Sequence, residues 1–278
     1  MFKKYLIVAS KKDLAGVNIT TQLSQFRPNP MLKSMDTSGG SASFDFYLLD
    51  EYQVYTESID IEKINKYDFI IFASKHQSEK KEKSLSVHAP GNWRNADFGG
   101  EKGKVCKSSA LFQKFMFEKL MKNRERFHLT DYQVTMEVTH HGPLIDKPCV
   151  FIEIGSTDVE WNDRRAGFAI AKTIEETIEE FKKNDYREIA IAIGGPHYCP
   201  SFNKIQAKSN VAISHIIPNY VAPITEEMIL EAVDKTVEEI DFAILDWKGL
   251  GQSDKRQEVI KILEKNYIAW KKTSDIKK

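Results

Sequence analysis

The chain has 278 residues, of which 41% are hydrophobic, so it is long enough to bury a substantial core in one domain or two. Its 40 basic and 40 acidic side chains cancel to zero net charge, which excludes an overall field that would attract a polyanion and leaves only a local patch for any RNA contact. No apolar run approaches the length of a membrane span, and the run at residues 5–9 is too short for a signal-peptide core. We expect a single domain over residues 1–278, in the cytoplasm and without a membrane partner.

Short β-branched and aromatic runs predict eight strands along the chain. They cover residues 5–9, 44–49, 68–73, 134–139, 150–154, 189–193, 211–217 and 242–245. Several are apolar on both faces, as strands are when helices cover both faces of their sheet. Amphipathic segments with the helical period lie between them, at residues 13–25, 108–127, 163–183, 225–239 and 254–266. The alternation predicts an α/β fold with a mainly parallel, doubly wound mixed sheet and helices on both faces.

Two stretches do not follow this alternation. Residues 27–43 are rich in Pro, Ser and Gly, and residues 75–107 show neither the strand period nor the helix period. Long irregular segments in compact domains are usually functional lids or disordered linkers. The second stretch holds aromatic and basic side chains together, among them Trp93, Arg94 and Phe98. We therefore predict that residues 75–107 form a long lid loop or an insertion.

Histidines and glycines follow the predicted strands at the points where the strands end. The four turns concerned are Ser74-Lys75-His76, His140-His141-Gly142-Pro143, Gly155-Ser156-Thr157 and Gly194-Gly195-Pro196-His197. In open α/β sheets, ligands bind beyond the carboxyl ends of the strands, where the crossover loops leave a crevice. The sequence therefore predicts a site at this edge that gathers histidines from distant segments. The alternative is a set of scattered surface or core histidines.

Imidazole is the commonest transition-metal ligand and titrates near neutral pH, so these histidines suit metal binding or acid-base catalysis. His140 and His141 are consecutive, and both can face one site only if the chain has left the strand there, which the following Gly-Pro pair favours. Glu137 and Glu153 lie in apolar strands, where a carboxylate is costly unless it is paired or binds a cation. Each is a candidate general base or metal ligand, with a structural ion pair as the alternative.

Other kinds of chemistry have weaker support. Cys106, Cys149 and Cys199 lie far apart without the CxxC spacing of a zinc site or redox pair, so inert thiols in a reducing cytosol fit them best. The Ser156-Thr157 pair lacks the GxSxG elbow, so a serine-hydrolase triad is not supported. Lys75 and the lysines that follow it would supply the phosphate-contacting patch that a neutral protein needs for RNA.

Five segments taken together resemble a known family. They are Ser74-Lys75-His76-Gln77-Ser78, Val87-His88-Ala89-Pro90-Gly91-Asn92-Trp93, Met136-Glu137-Val138-Thr139-His140-His141-Gly142-Pro143, Phe151-Ile152-Glu153-Ile154-Gly155-Ser156-Thr157 and Gly194-Gly195-Pro196-His197-Tyr198-Cys199-Pro200. In content and order they are similar to the archaeal and plant type of D-aminoacyl-tRNA deacylase, and the similarity runs from the first strand to about Trp247. The resemblance implies a monomeric hydrolase that requires zinc, with two ions per subunit, and a fold related to the phosphorylase/hydrolase type.

On this basis we expect an enzyme that hydrolyses the ester between a D-amino acid and tRNA. Zinc that activates a water would be held by some of His76, His88, His140, His141 and His197. The predicted catalytic residues are Glu137, Glu153 and His141, with either glutamate accepting a proton or orienting a histidine. The predicted substrate contacts are Lys75, Ser156, Thr157, Gly194 and Gly195. Backbone amides near Gly155-Ser156 or Gly194-Gly195 are the candidate oxyanion donors.

Three alternatives stay open at this point. A peptidyl-tRNA hydrolase or zinc amidohydrolase on the same scaffold would prefer N-blocked or peptide substrates. A non-catalytic tRNA-binding protein would use residues 75–107 as a stacking platform. A nucleoside phosphorylase would need a phosphate-binding arginine near a glycine loop, for which Arg164-Arg165 is a faint hint.

Overall fold

The computed structural model describes residues 2–26, 43–181 and 188–277, and its strands form two sheets. The strands of the first sheet are β1 (Lys4–Ser10), β2 (Ser43–Leu49), β3 (Phe69–Gln77), β4 (Ser84–His88), β5 (Gln133–Met136) and β6 (Cys149–Ser156). Their spatial order is β2-β1-β3-β6-β4-β5, and all neighbours run parallel except β4 and β6. The second sheet contains β7 (Glu188–Ile193), β8 (Val211–Ile217), β9 (Phe242–Leu245) and β10 (Trp270–Lys272). It is entirely parallel, in the order β10-β9-β7-β8.

Helices connect the strands. They are α1 (Leu14–Leu23), α2 (Ile61–Ile64), α3 (Ala110–Arg126), α4 (Asp158–Trp161), α5 (Arg164–Glu180), α6 (Pro200–Lys208), α7 (Glu226–Asp234) and α8 (Ser253–Lys265). Four of the longer ones begin where a side-chain oxygen accepts a hydrogen bond from an otherwise unpaired backbone amide; the capping residues are Asp13, Ser109, Asp163 and Thr225. These caps explain why the predicted helix starts fall close to the observed ones.

Apolar side chains cover both faces of each sheet. In β3, Phe69 and Ile71 pack with α1, α3 and α5, while Ile70 and Phe72 face the opposite side. In the second sheet, Ile191 packs with α7 and α8, and Ala190 lies on the face of α6. The predicted α/β fold with a mainly parallel sheet is therefore confirmed, although the strands divide between two sheets where we expected one.

The segment 75–107 is largely built into the fold, so the prediction that it lacks regular structure was wrong. It contains the end of β3 and all of β4, whose five residues are buried between β6 and β5. Serines alternate with Leu85 and Val87 in β4, and such a short polar alternation did not stand out as a buried strand. Further on, the Trp93 ring nitrogen donates to Ile216 O (3.2 Å), and Arg94 donates to backbone carbonyls at 221 and 223. The other irregular stretch, 27–43, lies outside the described residues except for Ser43.

Backbone hydrogen bonds join the two sheets near the end of β5. Val138 N donates to His197 O and Thr139 N donates to Ile216 O, both at 3.0 Å. The segment after β5 therefore lies between the two sheets. Because β5 and β4 run opposite to β6 and β3, this segment leaves the first sheet toward the amino ends of β3 and β6, and the expected common carboxyl edge was wrong for β5. Among the described residues, no helix is long and apolar enough to span a membrane.

Candidate active site

Two buried carboxylates form the centre of the candidate site. Glu153 lies in β6, and Glu137 follows β5; both are almost fully buried. His76 Nδ1 lies 3.2 Å from Glu137 Oε1 and 3.6 Å from Glu153 Oε2. Because the side chains of His76 and Glu153 come from adjacent strands, the β3–β6 pairing itself brings them together. The cost of burying these two acids is offset by neighbouring imidazoles. Glu153 lies in an apolar strand as predicted, whereas Glu137 comes directly after one.

Three histidines form a first cluster beside the carboxylates. One ring nitrogen each of His88, His140 and His141 lies within 4.8 Å of the other two. The Nδ1 atom of each ring faces a backbone carbonyl, at 3.2 Å for His88, 2.8 Å for His140 and 2.7 Å for His141. A carbonyl at Nδ1 fixes a proton there, so Nε2 is the nitrogen of each ring that remains for a metal. This is the arrangement that metal-binding histidines adopt. Burial opposes protonation of His88, but the Glu153 carboxylate 3.6 Å from its Nε2 raises its pKa, so a metal would displace a proton from that ring.

The backbone explains how consecutive histidines reach one cluster. His140 makes an isolated β-bridge with Pro90, and His141 has a left-handed backbone with φ of 43°. The chain has thus left the strand before His141, as the Gly-Pro pair predicted. A left-handed conformation is strained for a residue with a side chain, and such strain is typical of functional sites.

His76, Glu137 and His197 form a second cluster that shares the carboxylate centre. Glu137 Oε2 accepts a hydrogen bond from His197 Nε2 at 2.9 Å. The other ring nitrogen of His76, Nε2, lies 2.8 Å from the hydroxyl of Tyr198. Both nitrogens of His76 therefore have protein partners, unlike those of the first cluster.

Burial and the ion pairs divide the histidines electrostatically. Burial alone would lower the pKa of His76, but the adjacent Glu137 and Glu153 carboxylates raise that pKa to about 12. Burial and the neighbouring charge of His88 lower the pKa of His141 to about 4, and the same two causes hold the pKa of His140 well below its usual range. The rings of His140 and His141 are therefore neutral near pH 7, with lone pairs available to a metal.

The carboxylates respond in the opposite sense. Burial would raise the pKa of Glu153, but the His76 and His88 imidazoles, each 3.6 Å from Oε2, lower it to about 2. Burial likewise opposes ionisation of Glu137, and hydrogen bonds from His197 and His76 outweigh it, so its pKa lies well below the usual range. Both acids are therefore ionised, and their negative charge favours a cation in this centre.

Buried polar atoms without a hydrogen-bond partner are concentrated at this site. Such atoms are expected where the residues are the ligands of a metal ion. Among the described residues, seven buried side-chain polar atoms have no hydrogen-bond partner. Five of them lie at the clusters or around them: His88 Nε2, Ser84 Oγ, Ser86 Oγ, Gln53 Oε1 and Glu137 Oε1, of which the last is 3.2 Å from His76 Nδ1 without hydrogen-bond geometry. Because buried polar atoms are rarely left unpaired, each orphan needs an explanation. Imidazole nitrogen and carboxylate oxygen are ligands of zinc, so the residues fit the metal that the resemblance implied.

The clusters open into a cleft of about 1020 Å³. Its lining includes five of the proposed zinc and catalytic residues, namely His76, His140, His141, Glu153 and His197. Lys75, Ser156 and Thr157 also line it. The ammonium of Lys75 lies 4.8 Å from the centre of the Trp161 ring and 5.2 Å from that of Tyr52. Of the predicted substrate contacts, this cation is the best placed to meet a ligand in the cleft.

The other predicted substrate contacts are placed differently. The Ser156 hydroxyl donates to Glu82 O, and Thr157 caps α4, so both hydroxyls have local partners. Gly194 and Gly195 do not line the cleft; Gly194 N donates to Ile217 O at 2.7 Å. These glycines make the turn after β7, so the structure does not bring them to the histidines. The three cysteines are buried, and burial raises the pKa of Cys149 and Cys199 well above the usual range.

Sequence reasoning missed several residues of the site. Tyr198, which bonds to His76, was inside a quoted motif but had no assigned role. Asp13 was recognised only as the start of a helix, yet it lines the cleft with Tyr52, Gln53 and Trp161. A buried acid at a strand-helix junction is a usable signal, whereas the aromatic residues lie in ordinary loop and helix contexts.

Comparison with known proteins identifies the family. The profile of the D-aminoacyl-tRNA deacylase family matches residues 63–271. The chain is 33% identical over 277 residues to the D-aminoacyl-tRNA deacylase of Methanocaldococcus jannaschii, covering 97% of this chain and 99% of that protein. It is 37% identical over 252 residues to the D-aminoacyl-tRNA deacylase of Pyrococcus furiosus, covering 88% and 91%. A crystal structure described as a conserved protein of unknown function superposes with a TM-score of 0.85 at 31% identity, covering 99% of this chain and 98% of that one. The resemblance is confirmed, and the chain belongs to the D-aminoacyl-tRNA deacylase family.

Proposed function

We propose that the protein hydrolyses the ester bond between a D-amino acid and tRNA, releasing free tRNA in the cytoplasm. The observation that carries this proposal is the first histidine cluster, whose Nε2 atoms make no hydrogen bond among the described residues and lie beside two ionised carboxylates at the wall of a large cleft. Family membership supplies the substrate class, because the relatives in M. jannaschii and P. furiosus are named D-aminoacyl-tRNA deacylases.

Zinc would be held first by His88, His140 and His141, whose Nδ1 protons are directed at backbone carbonyls. When bound, zinc supplies a Lewis acid that lowers the pKa of water and polarises a carbonyl. A second ion would need His76, Glu137 and His197, and it would replace hydrogen bonds that these residues make with one another. We propose the first cluster as the tighter site for this reason.

Two glutamates of the chain supply proton transfer and the orientation of a histidine. Glu153 lines the cleft and Glu137 lies behind it, so Glu153 Oε2 is the acceptor for the proton of the attacking water. Glu137 orients His197 through their 2.9 Å hydrogen bond. Water oxygen bonds to the ester carbon, the bond to the ribose oxygen breaks, and that oxygen takes a proton as the amino acid leaves.

The RNA end would enter over the cleft mouth. Lys75 offers a cation to the phosphate or ribose, while the exposed rings of Tyr55 and Phe98 line the same cleft. Trp93, in contrast, is buried against the second sheet, which removes one ring from the stacking platform that a pure RNA-binding protein would use. The cleft therefore fits an aminoacylated RNA end better than a long bound strand.

The deciding experiment is release of amino acid from matched D-tyrosyl-tRNA and L-tyrosyl-tRNA by the purified protein, before and after chelation and with zinc restored. We expect release from the D-ester that is lost on chelation and recovered with zinc. Faster release from N-acetylated aminoacyl-tRNA than from the free D-ester would instead favour a peptidyl-tRNA hydrolase. Failure to release any of these esters would refute the proposed function.

A further inference from the structure

Gln53 carries an unpartnered oxygen in the wall of the cleft. The residue lies in the loop after β2, is 1% exposed and lines the cleft with Asp13, Ser74 and Glu153. Its Oε1 is one of the buried atoms that have no hydrogen-bond partner among the described residues. The catalytic steps proposed above make no use of it.

The neighbours of Gln53 fix which end of its amide is the oxygen. One end lies 3.1 Å from Asp13 Oδ2 and 3.5 Å from Ala73 O. Both neighbours are acceptors, so this end has to be the NH₂ group. The carbonyl end is therefore an acceptor without a donor, and a buried acceptor left in this state is costly.

Asp13 holds the amide in place. Its carboxylate also accepts hydrogen bonds from Ser74 Oγ at 3.1 Å, Lys75 N at 3.0 Å and Gly16 N at 2.9 Å. Ser74 is the register partner of Glu153 across the β3–β6 ladder, so this network lies next to the carboxylate centre. A carboxylate bonded to the amide nitrogen polarises the amide, which makes its oxygen a better acceptor for a cation.

The substrate brings one strong cationic donor into this cleft. An aminoacyl ester has an acceptor carbonyl, a variable side chain and a free α-ammonium group with three N–H donors. We infer that Gln53 Oε1 accepts a hydrogen bond from the α-ammonium of the aminoacyl group. This inference rests on the proposed function and names a specificity-determining residue for it.

Gln53 then contributes to chiral selection. The configuration at a carbon atom is sensed only when at least three of its substituents are fixed. The ester carbonyl is fixed at the histidine clusters and the amino group at Gln53, so the side chain points in different directions for the D- and L-forms. We therefore expect the cleft to accept one of these two directions and its wall to exclude the other, which would be a steric basis for discrimination.

The test compares Gln53→Met with wild type on three acyl groups carried by one tRNA: D-tyrosyl, L-tyrosyl and the tyrosyl group without its amino nitrogen. We expect Gln53→Met to lower kcat/KM for the D-tyrosyl ester about tenfold, since a hydrogen bond to a charged group is lost. The ester without the amino group should be cleaved equally by both proteins. The ratio of D- to L-activity should fall in Gln53→Met.

Ser74→Ala is the matched control, because it removes another donor to the same Asp13 oxygen and leaves Gln53 Oε1 in place. It should change the three acyl groups alike. Binding of an amide-linked, non-cleavable D-tyrosyl-tRNA should weaken in Gln53→Met with zinc present and after chelation.

Equal losses on all three acyl groups would show that Gln53 only supports the Asp13 network, and the inference would be wrong. It would also be wrong if the loss disappeared on tRNA ending in 2′-deoxyadenosine, because Oε1 would then bind the ribose hydroxyl. An inactive wild type would instead refute the proposed function itself.

Discussion

The histidines of the site differ in how many of their ring nitrogens have a protein partner. His88, His140 and His141 each use Nδ1 on a backbone carbonyl, while His76 uses both nitrogens on Glu137 and Tyr198. A ligand whose second nitrogen is fixed binds metal without reorganisation. One tight site and one weaker site would therefore follow from the hydrogen bonds alone.

Replacing His141 by Ala should reduce turnover more than about hundredfold. Loss of a residue that only supports a metal ligand already reduces activity by up to about hundredfold, and loss of the ligand itself should cost more. Bound zinc, measured by atomic absorption, should fall with it, and the circular dichroism spectrum should not change. His128→Ala is the matched control: His128 is exposed, lies outside the cleft and also has a left-handed backbone, with φ of 55° against 43° for His141. A folded and fully active His141→Ala protein would exclude the proposed metal cluster.

Tyr198 is a positioning residue, since its hydroxyl touches His76 and not the proposed reacting atoms. Tyr198→Phe should lower kcat about tenfold through misorientation of His76, with little change in KM or zinc content. Tyr132→Phe removes a comparable phenol hydrogen bond, to Asp163, at a distance from the site and should leave kcat unchanged. An increase in KM without a change in kcat would assign Tyr198 to substrate binding instead.

At the level of elements, the segment after β4 combines a rigid part and an exposed tip. Trp93 attaches it to β8, Arg94 attaches it to the segment after β8, and Val105 packs against Gly91. Between these attachments Phe98 is 68% exposed, and it faces the same cleft as Tyr55, which is 41% exposed. Exposed aromatic rings beside a nucleic-acid site are suited to stacking on unpaired bases.

Phe98→Ser should raise KM for D-tyrosyl-tRNA about tenfold and leave kcat nearly unchanged, because the loss of a stacked base weakens binding and not chemistry. Steady-state kinetics over a range of tRNA concentrations would measure this. Tyr267→Ser, at a residue that is 98% exposed and does not line the cleft, is the control. If Phe98→Ser and Tyr267→Ser behave alike, Phe98 does not contact the RNA end.

The sequence predicted the elements with strong periods and missed those without them. Long apolar strands such as β1 and β8, and the capped helices α3 and α5, have local patterns that determine their type. Strand β4 was missed because its serines become buried only when β5 and β6 enclose it, which is a tertiary effect.

The same reasoning explains the outcome for the site. The histidines that follow strands could be picked out from the sequence, but the reason given for their meeting was wrong for β5. β5 runs opposite to β3 and β6, so His140 and His141 reach the site from the other direction. Gln53 and Tyr198 could not be picked out, because their partners are 40 and 122 residues away in sequence. The prediction that Gly194 and Gly195 contact the substrate is not supported. A glycine pair at the end of a strand looks the same in sequence whether it contacts a ligand or only makes a turn.

For the whole molecule, zinc should stabilise the folded state, because a metal that binds only the native site shifts the unfolding equilibrium. At free zinc of one hundred times Kd the increase in the free energy of unfolding is about 2.7 kcal/mol. Denaturant unfolding with zinc and after chelation would measure it. The His141→Ala protein should show a much smaller difference, and an equal difference in both proteins would mean that the stabilising zinc binds elsewhere.

The position of β4 between β6 and β5, both of which follow it in sequence, has a consequence for folding during synthesis. β4 is synthesised about 60 residues before β6, so the nascent chain has to carry a strand that lacks its central neighbour. The three histidines of the first cluster, His88, His140 and His141, all leave the ribosome before β6, so they are held in place only once β6 has paired with β4. We therefore expect zinc to enter a protein whose first sheet has already formed, so that zinc-starved cells accumulate folded, inactive copies that recover activity without new synthesis.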